Sequence, residues 1–263
     1  MLNYVDHRAM FEGMNANLWA PNSGRLLWMT QPAWPSTMWQ ILSSDYDTQA
    51  SYYGVRKACE PLHIQLDLAN YQVDIINTTT TPHIGLTATA KVYSLANALL
   101  TEATERKNVD ADSATPVLHL DLGKYMDHSA VLIKLELRDG QNNLLSQNLY
   151  WLGANPSAYR ALTQLAPTQL NVSATSTRVG DETKITVQLT NPSAAASLEN
   201  KLTLLDAQSH ARILPTYYSD NYISLLPGES RTIQIAVPSA AAHGPAAIAL
   251  RGWNAIPQVI AVK

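Results

Sequence analysis

The hydrophobic period of this chain changes at Pro61, and that change decides what it can fold into. Before Pro61 apolar residues recur at helical spacing. After it, Leu62, Ile64, Leu66 and Leu68 alternate with His63, Gln65, Asp67 and Ala69, the period of two that marks a half-buried strand. Further strand-like runs follow at 73–77, 86–93, 117–122, 131–138 and 147–152, with Asp139-Gly140 as a hairpin turn. Seven or so short strands over 61–153 predict an immunoglobulin-like β-sandwich. The more polar segment 96–112 stays open between a strand with a loose loop and a short helical turn.

Residues 154–167 read as a linker by composition, with Asn155, Pro156, Ser157 and Pro167. A second set of runs covers 170–174, 184–189, 201–205, 223–225, 232–237 and 247–251. Turn signals at Gly180-Asp181, Asn191-Pro192, Pro227-Gly228 and His243-Gly244-Pro245 separate them. This predicts a second immunoglobulin-like sandwich over 168–263. The two sandwiches share no sequence motif, so the duplication is one of architecture.

Residues 1–60 are of another kind. Val5, Ala9, Met10, Met14 and Leu18 predict one amphipathic helix, on which His7 and Glu12 read as solvated or capping groups. Leu26, Leu27, Trp28 and Met29 are apolar on both faces, the pattern of a strand buried in a parallel sheet. Pro32 and Pro35 then bracket Trp34 in a rigid turn. Ser36 is the predicted cap of a helix running through Trp39, Ile41 and Leu42, and a last short helix spans 52–59. Helix, strand and helix are elements of a (β/α)8 barrel, whose sites lie on the loops after the strands. That geometry singles out Gln31, Trp34 and Trp39.

Composition narrows the field. The 263 residues are 46% hydrophobic and 15% charged with net charge -3, so there is no basic field for nucleic acid. Cys59 is the single cysteine, which rules out an internal disulfide and a cysteine-based metal site. The histidines lack metal-ligand spacing, so no metal and no cofactor are expected. No run reaches the ~20 apolar residues of a membrane span, and Asp6, His7 and Arg8 stand where a signal peptide would be apolar. Neither membrane nor nucleic acid is an expected partner. Asn77-Thr78-Thr79 and Asn171-Val172-Ser173 fit the glycosylation pattern, which matters only in a eukaryotic secretory host.

Several stretches also resemble a known family. The order WM-x-x-x-AWPS-x-x-W followed by YYG-x-x-KACEPLHIQ is similar to the end of the catalytic barrel in glycoside hydrolase family 2. Its exo-β-glucosaminidase and mannosylglycoprotein endo-β-mannosidase members are the nearest in pattern. The resemblance extends back through YVDHRAMFEGMNANLW, which looks like the seventh barrel helix, and forward through SQNLYWL, SDNYISLLPGES and RGWN. It implies the C-terminal portion of a retaining β-glycosidase of β-mannosidase or exo-β-glucosaminidase type, acting on terminal β-linked sugars. Such an enzyme needs two carboxyl groups about 5 Å apart. In the family these lie on the fourth and seventh barrel strands, so this chain is expected to lack both and to be inactive alone. The expected partners are the N-terminal catalytic remainder, in the same polypeptide or a separate chain, and an oligosaccharide substrate. A periplasmic or extracellular location is implied by the family alone.

In that frame Trp34, Gln31 and Trp39 are the candidate substrate-binding residues, since indoles stack on pyranose faces while amides bind hydroxyls. Relatives usually carry asparagine or aspartate just before the tryptophan, where this chain has Thr30-Gln31-Pro32, which leaves the recognised sugar open. Asp45 and Asp47 lie in a loop with Ser43 and Ser44 and read as capping or solvated groups. Tyr217, Tyr218 and Tyr222 read as a plug at the end of the second sandwich. One other class remains: a non-catalytic carbohydrate-binding or adhesive module in which residues 1–60 are only a cap.

Overall fold

The computed structural model describes residues 1–19, 21–36, 40–127, 129–242 and 244–263. Two helices open the chain, α1 (Leu2–Asn15) and α2 (Ala50–Ala58). They cross at Gly54, where an added Cβ would lie 2.4 Å from the Tyr4 carbonyl oxygen, so only glycine permits this approach. The buried face of α1 is not the apolar stripe expected from spacing. It consists of Tyr4, Arg8, Phe11, Glu12 and Asn15, while Met10 is 45% exposed. Polar side chains turn inward because the strands beneath α1 offer polar partners, a tertiary cause that periodicity cannot report.

The run 26–29 forms no strand, contrary to expectation. Leu26 is fully exposed and Trp28 is 82% exposed. A strand apolar on both faces needs neighbours on both edges and covers on both sides, and among the described residues no strand runs beside it. The helix expected from Ser36 is also corrected where it can be seen. Thr37, Met38 and Trp39 lie outside the described residues, and Ile41 and Leu42 belong to a tight loop. The Leu42 amide donates to the Thr30 carbonyl (3.0 Å) and the Gln49 amide to that of Ile41 (3.1 Å). No described helix is long and apolar enough to cross a membrane.

The rest is mainly β, in two immunoglobulin-like sandwiches. The first is built from β1 (Leu62–Leu66), β2 (Gln72–Asn77), β3 (His83–Ser94), β4 (Leu99–Val109), β5 (Ser113–His119), β6 (Val131–Arg138) and β7 (Leu144–Leu152). Sheet β1-β2-β5 packs on sheet β4-β3-β6-β7, all antiparallel. Ile64, Ile75, Val92, Ile133 and Leu135 are among its fully buried side chains. The open segment 96–112 resolves as β4, whose exposed polar side chains hide a long pairing with β3. Strand β1 is buried on both faces, His63 and Gln65 included, and so is not the half-exposed strand its alternation suggests. Asn77 is likewise buried, with its amide given to Thr81 and Asp110 carbonyls, which removes it as a glycan acceptor.

The second sandwich holds β8 (Asn171–Val179), β9 (Glu182–Thr190), β10 (Ser197–Asp206), β11 (Tyr217–Tyr218), β12 (Ile223–Leu225), β13 (Ser230–Pro238), β14 (Ala246–Arg251) and β15 (Gln258–Ala261). Sheet β12-β10-β14-β15 faces sheet β11-β13-β9-β8. The connection between the sandwiches is not a loose tether. Asn155 caps a short helix, Pro156–Arg160, by accepting from the Ala158 amide (3.0 Å), and a 3-10 turn, Ala161–Gln164, follows. The RGWN segment fastens it. The Trp253 indole donates to the Leu162 carbonyl (2.9 Å) and the Asn254 amide to that of Ala166 (2.9 Å).

Under this connection the sandwiches share a seam. Leu132, Leu149 and Trp151 of the first meet Leu198 and Leu226 of the second, with Leu162 between them. Lys134 reaches across to Glu229 (2.8 Å), whose other oxygen accepts from the Leu226 amide (2.9 Å) and closes the Leu226-Pro227-Gly228-Glu229 turn. Trp151 is 7% exposed and fills the seam. Trp151→Ala is therefore expected to cost about 3–5 kcal/mol of stability in urea unfolding. A loss below about 1 kcal/mol would mean that the sandwiches do not pack on each other.

Candidate functional site

The candidate site begins where α1 ends. The Arg25 guanidinium donates to the Phe11 carbonyl (3.0 Å) and lies over the Phe11 ring (5.1 Å to its centroid). The Trp19 indole donates to the Asp112 carbonyl (2.9 Å), anchoring the strip to the first sandwich. Between these anchors and Pro35 the chain presents Leu26, Trp28, Met29 and Trp34 outward. Trp34 is 70% exposed, so its indole is not core. Gln31 is half-buried and donates its amide to the Ser44 carbonyl (3.3 Å), which ties it to the loop behind. Trp39 is outside the described residues. Asp45 and Asp47 are not merely caps or solvated: both bind Arg212 of the second sandwich, and Asp47 also binds Lys201 (3.1 Å).

Between α1 and the first sandwich lies a buried polar cluster. Ser146, Asn148 and Tyr150, two residues apart on β7, point to one side: Asn148 meets Glu12 of α1 and His63 of β1, Tyr150 meets Glu12, and Ser146 meets Glu60. The Asn148 amide (2.8 Å) and Tyr150 hydroxyl (2.9 Å) both donate to Glu12 Oε1. His63, wholly buried, contacts Glu12 through Nε2 and Glu60 through Nδ1, each at 3.1 Å. Glu60 also accepts from the Ser146 hydroxyl (2.7 Å) and from Lys57 (2.5 Å). Arg8 completes the cluster, donating to the Asn148 side chain (3.0 Å) and the Leu149 carbonyl (2.8 Å) with its guanidinium 4.1 Å from the Tyr150 ring centroid. Glu12 was thus misread as solvated. The signal that could have found it is the pairing of His63 and Gln65 with Ser146, Asn148 and Tyr150, polar residues at strand spacing inside otherwise apolar runs.

Electrostatics follow from that enclosure. Burial alone would push the His63 imidazole down, but hydrogen bonds to Glu12 and Glu60 reverse this and raise it above its ordinary value. Burial likewise pushes the Glu60 carboxyl up, yet His63 and Lys57 overcome it and hold it at about 2. The two carboxyls sit on opposite ring nitrogens of His63, so they do not converge on one point where an ion could rest. Among the described residues no His, Cys, Asp or Glu group of three or more is arranged to hold a metal. The cluster is a clamp between elements rather than an acid–base pair open to substrate. On its other side a cavity of about 60 Å³ reaches Glu199, whose carboxyl burial holds up at about 8.

The tyrosines divide. The Tyr218 hydroxyl accepts from the Leu204 amide (2.8 Å) inside the core, and Tyr222 packs against Tyr53 (5.8 Å between centroids). Tyr217 is 63% exposed and plugs nothing.

Residues 69–154 match the mannosidase Ig/CBM-like domain and residues 148–255 match the exo-β-D-glucosaminidase Ig-fold domain. The chain is 28% identical to mannosylglycoprotein endo-β-mannosidase of Lilium longiflorum, over 97% of its own length and 33% of that protein's. It is 29% identical to exo-β-D-glucosaminidase of Streptomyces avermitilis, over 99% of its own length and 32% of that protein's. The crystal structure of Amycolatopsis orientalis exo-chitosanase superposes with a TM-score of 0.92 at 27% identity, covering 98% of this chain and 33% of that one. The chain therefore spans about a third of the relatives it matches, and its likeness is to a portion of a glycosidase.

The clamp has a measurable pH signature. A carboxyl held below its ordinary value of 4.5 contributes stability that is present above that value and lost as pH falls toward about 2. The destabilisation caused by Glu60→Gln is accordingly expected to shrink by up to about 3 kcal/mol between pH 5 and pH 2. Urea unfolding of both proteins across that range measures it. A difference that stays constant with pH would show that Glu60 carries no such shift.

Proposed function

We propose, for a chain whose sandwiches are Ig-fold domains of the exo-β-glucosaminidase and mannosidase families, that it is the C-terminal portion of a retaining β-glycosidase. The parent enzyme is of β-mannosidase or exo-β-glucosaminidase type and hydrolyses terminal β-linked sugars of oligosaccharides. This chain contributes one wall of the sugar site, with Trp34 as a stacking platform, Gln31 as the hydroxyl-binding amide and Trp39 on the same stretch. The two catalytic carboxyls belong to an N-terminal remainder, in the same polypeptide or a separate one. Residues 1–60 are the closing stretch of its barrel, to which α1 and α2 belong, and the run 25–29 becomes a strand only beside that remainder; a periplasmic or extracellular location accompanies this reading.

The observation that carries it is the exposed strip. Leu26 at 100%, Trp28 at 82% and Trp34 at 70% exposure lie within one short stretch. A self-sufficient binding module has no use for a run this exposed, because exposed contiguous apolar surface favours association. A barrel remainder that adds strands beside residues 25–29 would give the run both its hydrogen bonds and its cover. That favours the enzyme portion over a stand-alone carbohydrate-binding or adhesive module.

The purified chain alone is expected to hydrolyse neither aryl β-mannosides nor aryl β-glucosaminides. Turnover above a mock preparation would mean that the carboxyl pair is within these residues. In the same preparation, Trp34→Ala should weaken binding of glucosamine or mannose oligomers by about tenfold, the scale of one lost aromatic contact. Unchanged binding by calorimetry would remove Trp34 from the wall.

A further inference from the structure

The loop behind the strip is held by charge from a distant part of the fold. Arg212 lies between β10 and β11; its Nη1 donates to Asp47 Oδ2 at 3.1 Å and its Nη2 to Asp45. Lys201 of β10 donates to the same Asp47 oxygen at 3.1 Å. Lys201, His210, Arg212 and Arg251 line one groove of about 590 Å³, and among the described residues of the sandwich no acidic side chain lines it. The counter-charge comes from the loop instead. Within the loop the Ser43 hydroxyl donates to Asp45, and the Ser43 amide donates to the Asp47 carbonyl (2.9 Å). The loop's far side carries the strip: the Leu42 amide binds the Thr30 carbonyl (3.0 Å) and the Ser44 carbonyl accepts from the Gln31 amide (3.3 Å).

We propose that Arg212, with Lys201, is a positioning residue for the sugar site: through Asp45 and Asp47 the second sandwich sets where Thr30 and Gln31 stand beside Trp34. The ligand rests on the reading of the strip as a sugar wall; the tie itself does not. An isolated exposed pair does little, since two long side chains must be ordered for a screened attraction. Here Asp47 serves two cations and Arg212 serves two carboxyls, so ordering one group serves several contacts. Arg212 also uses separate guanidinium nitrogens for its two partners, which fixes direction as a lysine would not.

Hydrogen exchange and oligosaccharide binding together test this in the whole chain. Arg212→Ala is expected to speed exchange of the Leu42 and Ser43 amides about tenfold, leaving β10 and β13 amides as they were. Arg212→Lys should restore part of the protection. In about 0.5 M salt the unsubstituted chain should approach the variant's rates, because exposed pairs are screened, whereas the variant, which keeps only the Lys201–Asp47 pair, should respond less. Binding of a glucosamine tetramer should weaken in Arg212→Ala as it does in Gln31→Ala. Unchanged exchange at Leu42 and Ser43 overturns the proposal. So does faster exchange accompanied by binding that Trp34→Ala weakens and Arg212→Ala does not. Faster exchange with binding indifferent to both substitutions supports the ionic tie and overturns the sugar wall.

Discussion

The contact on which the rest depends is the enclosed imidazole of His63, held between Glu12 of α1 and Glu60 at the end of α2. Burying charged groups costs several kcal/mol per ion unless each finds partners, and breaking such a set leaves an uncompensated charge. The partners here come from separate parts of the chain. Glu12 is reached by Asn148 and Tyr150, Glu60 by Lys57 and Ser146, and the backbone amides of Ile64 and Leu66 by the Ser146 and Tyr150 hydroxyls. Two helices, a loop and two strands are therefore tied together by this one set of contacts. The cluster specifies geometry more than it adds stability, since an apolar filling of equal volume would hold the elements with less direction.

How much of this was legible depends on which physical signal each element carries. Strands such as β3, β9 and β13 announced themselves through period-two burial, β11 and β15 were not expected, and Asp139 stands at the predicted turn between β6 and β7. Strand β4 was harder to read because its outward residues are long and polar while its inward partners are small. The run 26–29 was read as a strand from composition, yet strand formation is a property of neighbours as much as of residues. Helix α1 shows the converse. Its apolar spacing pointed one way, and the polar partners on β1 and β7 drew Arg8, Glu12 and Asn15 the other. At the candidate site, the prolines around Trp34 foretold a turn but not whether its indole would be core or exposed. Nothing local to Asp45 and Asp47 foretold Arg212, which is more than 160 positions away.

Motifs that entered as resemblance acquire physical reasons. In the YYG segment, glycine lets α2 reach the backbone of α1. In KACEPLH, lysine, glutamate and histidine are successive links of the clamp. In RGWN, Gly252 lies where a Cβ would be 2.4 Å from the Asn200 side chain, and the tryptophan and asparagine bind the connection between sandwiches. These stretches hold parts of the fold to one another, which is a different task from touching substrate.

Strand β7 carries one last consequence. Asn148 and Tyr150 face the clamp while Leu149 and Trp151 face the seam, so a single strand is read by two environments of opposite polarity. Displacing it by one residue along β6 would exchange the two sets. Two amphipathic tests would then fail at once, with an amide and a phenol in the apolar seam and an indole against a buried imidazole. Such a strand works like a keyed connector: it admits one alignment, and a mistaken pairing is disfavoured on both of its faces at once.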